Sequence, residues 1–327
     1  MDGLFALAAE NLGSPIILSF ALGLFAALFR SDLSVPEAAA KALSIYLLFA
    51  IGFKGGVSVA DHGLEGALIL TLLGGVVLSF VIPLIAYALL RVMSRLSVID
   101  AAAVAGHYGS ISIVTFVAAS SVLDGQGVPY EGYMVAVAAA MEAPAILSAL
   151  WLMSRGGGNG SGGTMDAGLM REILLNGSIV LLVGSFFIGM TTGKDGLAEI
   201  DSFIVAPFKG VLCLFLLDMG LVAGRGLRQA RGVMRPGLIL FGVLMPVIGA
   251  ALGLGTGLAL GLSLGGVTLL MVLSASASYI AVPAAMRVAA PEADPAIYLT
   301  LSLGVTFPFN LTIGIPLYLA AASAMGG

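Results

Sequence analysis

Ten apolar runs, most of them long enough to cross a bilayer, occupy nearly all of this chain: residues 15–29, 36–53, 64–90, 101–122, 132–153, 172–192, 204–222, 237–260, 264–288 and 295–323. About 18 or more predominantly apolar residues carry a helix across the hydrocarbon core. At that depth a lipid-exposed backbone must satisfy its own hydrogen bonds, which makes helices of runs this long. The expected fold is an all-α polytopic membrane protein with ten transmembrane helices. Charged residues make up only 10% of the chain and mean hydropathy is +1.10. A soluble domain carries about 25% charged residues, so this sequence cannot cover a water-facing surface. The net charge of −4 points to no nucleic-acid partner. Cys213, the single cysteine, allows no disulfide within the chain and reads as a buried, inert thiol. Met1-Asp-Gly-Leu-Phe5 has no basic segment, so the first run is expected to be a retained span and not a signal peptide.

Basic residues orient the spans. With the N-terminus outside and the spans alternating, Arg30, Lys41, Arg91, Arg95, Arg155, Arg171, Arg225, Arg228, Arg231, Arg235 and Arg287 fall inside. Only Lys54, Lys194 and Lys209 fall outside, a division of eleven against three. Both termini are therefore expected outside a cell inner (plasma) membrane. Between Arg155 and Arg171 lies a glycine-rich stretch with the composition of a flexible coil. It divides the chain into 1–155, a linker at 156–170, and 171–327. Five spans precede it and five follow, and an odd number turns the second half over relative to the first. Two inverted five-helix repeats are expected. Gly52 and Gly56 match Gly220 and Gly224 at an offset of 168, and Ser110 matches Ser278 at the same offset. Pro129 and Tyr133 resemble Pro295 and Tyr298.

Two stretches interrupt the apolar pattern, one in each half. Gly106-His-Tyr-Gly-Ser-Ile-Ser-Ile-Val-Thr115 lies in the fourth run, and Ser274-Ala-Ser-Ala-Ser-Tyr-Ile-Ala-Val-Pro283 in the ninth. Small and hydroxylated residues at membrane depth suit a broken helix, and broken helices build the substrate sites of many secondary transporters. A half-helix N-terminus offers free N–H groups and a partial positive charge, an anion site that needs no cation. Ser110, Ser112 and Thr115 from one stretch, and Ser274, Ser276 and Ser278 from the other, would add hydroxyls. The alternation of 274, 276 and 278 places all three on one side of an unwound segment. The competing explanation is close helix packing through small residues. Ionisable groups inside the runs are few: His107, Glu142 and Asp218, each a candidate for ion or proton coupling. Thr306 and Asn310 flank Pro308, which is expected to interrupt the last helix and free carbonyls for a hard cation such as Na⁺, with Glu142 and Asn310 as its first candidates. With no buried arginine, the site suits a small anion accompanied by Na⁺, or a small zwitterion, and not a bulky polyanion. Metalloprotease, nucleotide-binding and nucleophile-elbow signatures are absent, so an enzyme is not expected.

The stretches Gly106-His-Tyr-Gly-Ser-Ile-Ser-Ile-Val-Thr-Phe116, Met141-Glu-Ala-Pro-Ala145, 274–287 and 295–318 together resemble the SbtA-type sodium-dependent bicarbonate transporter family, over essentially the whole chain. The resemblance implies ten spans in inverted repeats, a core domain moving against a gate domain in an elevator-like cycle, and a homotrimer. It also implies Na⁺-coupled symport of bicarbonate, bound where the fourth and ninth spans cross near the midplane. By position, Gly109, Ser110, Ser112 and Thr115 correspond to the family's first site segment, and Ser274, Ser276 and Ser278 to the second. Cyanobacterial members carry aspartate at the positions of Tyr279 and Glu142 and no histidine at that of His107. They also have a longer central linker and a PII-like regulatory partner. Two other functions fit the same residues: transport of another small carboxylate or anion with H⁺ or no Na⁺ coupling, and a channel or membrane sensor.

Overall fold

The computed structural model describes residues 13–62, 66–155, 175, 177–229, 234–280, 282–283, 285–286 and 290–325. The fourth and ninth apolar runs are interrupted, and among the described residues each of the ten contains one or more helices. In chain order these are α1 Pro15–Leu28, α2 Glu37–His62, α3 Gly66–Met93, α4 Val98–Gly109, α5 Ile113–Gly125, α6 Met134–Ala140, α7 Glu142–Arg155, α8 Gly177–Ile204, α9 Phe208–Gln229, α10 Pro236–Ala259 and α11 Leu264–Ala275. A last stretch, α12, runs from Pro295 to Met325. Among the described residues, seven helical segments are long and apolar enough to cross a membrane, counting α4–α5 as one and α6–α7 as one; α1 and α11 are apolar but shorter. The chain is a multi-pass membrane protein. The glycine-rich linker lies outside the described residues, as do Arg171, Arg231 and Arg287 from the inside set.

Sequence explains where these helices start and stop. Ser14, Ser97, Ser112 and Ser263 cap α1, α4, α5 and α11 by accepting the amides of Ile17, Asp100, Thr115 and Gly266, which satisfies donors that have no partner within the helix. α8 bends at Gly193, whose φ of 60° and ψ of −151° are open to glycine and strained for other residues. The apolar half of α8 precedes that bend, and its charged half follows. Pro308 does not interrupt the last helix, contrary to the sequence expectation. α12 stays helical throughout, with π-helical turns at Thr300–Thr306 and Asn310–Gly314 on either side of Phe307–Phe309. The wider turns absorb the proline ring, and the Pro308 carbonyl accepts the Thr312 hydroxyl at 2.7 Å.

Two helix pairs pack most extensively, α1 with α9 and α2 with α8. Both rest on glycines that let backbones touch. A Cβ on Gly23 would lie 2.0 Å from the Leu217 carbonyl oxygen, and one on Gly220 would lie 2.2 Å from that of Phe20. Across the other pair, a Cβ on Gly56 would meet the Phe186 carbonyl and one on Gly189 that of Phe53. Backbone atoms cannot rotate away. Gly23→Ala is therefore expected to push α1 off α9 and to lower stability by about 1–3 kcal/mol, the usual cost of overpacking. Thermal unfolding of the detergent-solubilised protein measures this. Gly184→Ala on α8, whose Cβ would meet nothing within 4 Å, is the control and should leave the midpoint unchanged or slightly raised.

The remaining helices form a second group. α3 packs on α4 and α10 on α11; α4 also meets α7, and α11 meets both α5 and the final turns of α12. The interrupted helices α4–α5 and α11 lie in the interior of this group, where every residue from Ala101 to Ser121 and from Gly265 to Tyr279 is buried.

Candidate functional site at the helix breaks

The fourth run breaks between α4 and α5. Ser110 and Ser112 take extended backbone angles, and the helix restarts at Ile113. The ninth run breaks after Ala275, where Ser276 is extended in the same way. The two breaks are alike in detail. α4 and α11 each have 12 residues, a serine at the N-cap and an extended serine at the C-cap. A shift of 166 positions carries Ser97 to Ser263, Ser110 to Ser276 and Ser112 to Ser278. The capping register is thus two residues shorter than the 168 that aligned Ser110 with Ser278.

The two unwound segments touch. The Ser112 amide donates to Ser276 Oγ at 2.9 Å, and the Ser276 hydroxyl donates onward to the Leu273 carbonyl, also at 2.9 Å. The Ser278 amide donates to the His107 carbonyl at 2.7 Å. Freed backbone groups from each break are therefore satisfied by the other, as buried peptide groups require. Ser112 Oγ also accepts the Thr115 amide at 3.2 Å and the Thr115 hydroxyl at 2.8 Å. Ser278 Oγ accepts the Val282 amide at 3.3 Å. Ser274 stays inside α11, so only Ser276 and Ser278 belong to the unwound segment; the three serines do not form the single alternating row expected from sequence.

These bonds sort the candidate hydroxyls by role. Ser112, Thr115, Ser276 and Ser278 hold the crossing together. Ser110 Oγ and Ser274 Oγ are buried and have no hydrogen-bond partner among the described residues. A buried hydroxyl without a partner costs free energy that a ligand can return. At the start of α5 the amides of Ile113 and Val114 have no intrahelical acceptor. The crossing therefore offers hydroxyls and first-turn amides, donors suited to a small oxyanion. Gly109 contributes differently, since a Cβ there would lie 2.1 Å from Pro83 Cγ. Its smallness lets α4 end against α3.

α12 braces the crossing from behind. Asn310 Nδ2 donates to the Ala275 carbonyl at 2.8 Å, at the very end of α11, and Asn310 Oδ1 accepts the Tyr318 hydroxyl at 2.7 Å. The Thr306 hydroxyl donates to the Gly242 carbonyl at 2.7 Å and accepts from Tyr108 at 2.5 Å. Thr306 and Asn310, which sequence offered to a cation together with Glu142, are thus engaged with α4, α10, α11 and α12 itself. His107 donates Nδ1–H to the Ala103 carbonyl at 2.7 Å and stacks on Tyr298 with ring centroids 4.3 Å apart. A carbonyl can only accept, so Nε2 is the bare nitrogen, and it is buried without a partner among the described residues.

Glu142 is buried at the α6–α7 junction with Oε2 unpartnered among the described residues, next to Met141, whose carbonyl accepts the Ser79 hydroxyl at 2.5 Å. No hydrogen bond among the described residues joins Glu142 to Asn310. Asp218 lies on α9, buried, and none joins it to the crossing. Cys213 is only half-buried. Sequence reasoning missed Tyr108, Tyr298 and Tyr318, the aromatic partners of Thr306, His107 and Asn310. Their one local signal is position, since Tyr108 sits inside the first small-residue stretch.

Comparison with curated proteins found no match. The model of the Na⁺-dependent bicarbonate transporter superfamily matches residues 15–323. That is a family of transporters and not of enzymes, and its match takes in both helix breaks, the bracing residues of α12 and every candidate side chain described above. The chain belongs to the Na⁺-dependent bicarbonate transporter superfamily.

Proposed function

We propose that the chain carries bicarbonate, or a closely similar small monoanion, across an inner membrane together with Na⁺. The observation that carries this reading is the crossing itself: two broken helices joined by the Ser112–Ser276 and Ser278–His107 bonds, with the Ser110 and Ser274 hydroxyls left to a ligand. The anion accepts from those hydroxyls and from the first amides of α5. Na⁺ travels as cargo beside it, held by oxygen donors, and offsets the charge that no arginine neutralises.

The inverted repeat is supported by the packing. Spans one and seven pair, as do two and six, and exchanging the halves converts one pair into the other. The same exchange turns the α3–α4 contact into the α10–α11 contact. Glycines recur across it, Gly23 with Gly189, and Gly52 and Gly56 with Gly220 and Gly224. α1, α2, α8 and α9 then form a gate, against which the group holding the crossing slides in an elevator-like cycle. The division of basic residues favours both termini outside.

In proteoliposomes, labelled bicarbonate should accumulate against its gradient when an inward Na⁺ gradient is imposed, and should not accumulate with choline in place of Na⁺. Undiminished accumulation in choline would reject Na⁺ coupling. It would favour a proton carried by Glu142, whose carboxyl is buried with one oxygen unpartnered.

A further inference from the structure

A cavity of about 260 Å³ lies beside the crossing, lined by residues of α2, α5, the 128–132 loop, α6 and the start of α9. The N-cap of α5, Ser112, and three residues within the helix, Phe116, Ser120 and Asp124, follow one another at four-residue intervals. Residues four apart on a helix share a face. The last three line the cavity, and the first is the N-cap at the crossing. Phe116, almost fully buried, is the lining residue of α5 nearest the helix break, and Ser112 precedes it by one turn, about 6 Å along the axis.

The cavity has one cation among the described residues that line it. Lys54 of α2 reaches into it with Nζ 3.9 Å from Asp124 Oδ2 and 5.2 Å from the Phe208 ring centroid. At that distance the pair is loose, and both side chains keep partial access to water. Asp124 also interacts with the Tyr130 hydroxyl. Burial first, and then the Asp124 charge, pushes that hydroxyl up from its usual range, so it remains a protonated donor. Tyr130 and Lys54 therefore share one carboxylate, and an ammonium with three N–H groups and one loose ion pair keeps donors for another acceptor.

We infer that this cavity is the entrance vestibule of the anion site: Lys54 captures the incoming monoanion by exchange with Asp124, and Phe116 separates it from Ser112. The inference rests on the proposed anion transport. α2 belongs to the gate and α5 to the group holding the crossing, so the vestibule lies on the seam that must shear during transport. The site takes a small, singly charged anion. Its volume and its single, partly neutralised ammonium do not suit a polyanion.

Charge at the mouth of a site changes capture more than turnover. In proteoliposomes, Lys54→Gln is expected to raise KM for bicarbonate about tenfold with kcat nearly unchanged, and Lys54→Arg to restore it. Asp124→Asn frees the ammonium and should lower KM. A purely structural ion pair predicts the same sign for Lys54→Gln and Asp124→Asn, because each breaks it, and that result would overturn the inference. A second readout does not depend on transport. In a Cys213→Ala background, Ser120→Cys in the solubilised protein should react faster with an anionic thiosulfonate than with a cationic one, and Lys54→Gln should abolish that preference. A preference that survives Lys54→Gln overturns capture by Lys54, even if transport is intact. If the preference behaves as expected but no anion is transported, the vestibule stands and the transport reading fails.

Discussion

Asn310→Ala is expected to be the most damaging single change in the molecule. The Asn310 amide is the only side chain among the described residues bonded to both the last carbonyl of α11 and the Tyr318 hydroxyl. Its removal leaves a buried carbonyl and a buried hydroxyl without partners, at about 1–3 kcal/mol each, and opens a cavity besides. That sum is a large fraction of a native protein's stability of about 5–15 kcal/mol. Thermal unfolding of solubilised protein, run in Na⁺ and in choline, measures it. The account expects a large loss in both media, because the amide tethers a helix end whether or not an ion is bound. A loss seen only in Na⁺ would instead make Asn310 chiefly an ion ligand.

Ser110→Ala is expected to do the opposite: large for transport and small for folding. The Ser110 hydroxyl bonds nothing among the described residues, so removing it breaks no protein contact and leaves Tm close to the wild-type value. If that hydroxyl donates to a bound anion, its loss removes a charge-assisted hydrogen bond of about 1.5–3 kcal/mol. At 1.4 kcal/mol per factor of ten, kcat/KM for bicarbonate falls about 10- to 100-fold. Ser276→Ala is the contrast. Its hydroxyl accepts the Ser112 amide and donates to the Leu273 carbonyl, so stability and transport should fall together. Equal behaviour of the two alanine variants in both assays would mean that the bonds at the crossing do not divide structural from ligand-facing hydroxyls.

Local signals in the sequence located the breaks well. The small and hydroxylated stretches at 106–115 and 274–283 marked the two places where regular helix stops, after Gly109 and after Ala275. Among the described residues, seven of the ten apolar runs fall on helices long and apolar enough to cross a membrane, because length and hydrophobicity are local properties. The roles of individual hydroxyls were not legible, since they depend on partners far away in the chain: Ser276 answers Ser112, and Asn310 answers Ala275. Pro308 misled for a related reason. A proline ring predicts a break, but in α12 it is accommodated by π-helical turns that pack against α9, α10 and α11, a setting no local pattern announces. Lys54 counted in the sequence only as a basic residue expected outside, and the fold sets it across one cavity from Asp124.

If bicarbonate binds at the crossing of the broken helices together with Na⁺, it does so through hydroxyls that the fold leaves unused. The most direct measurement is the shift in unfolding temperature of purified wild-type and Ser110→Ala protein on adding bicarbonate, with Na⁺ or choline present. A ligand that binds only the folded state raises its apparent stability. An upward shift is expected for the wild type in Na⁺, little or none in choline, and a shift largely lost in Ser110→Ala at concentrations that saturate the wild type. An equal, Na⁺-dependent shift in both proteins would place the bicarbonate site away from Ser110 and contradict the claim.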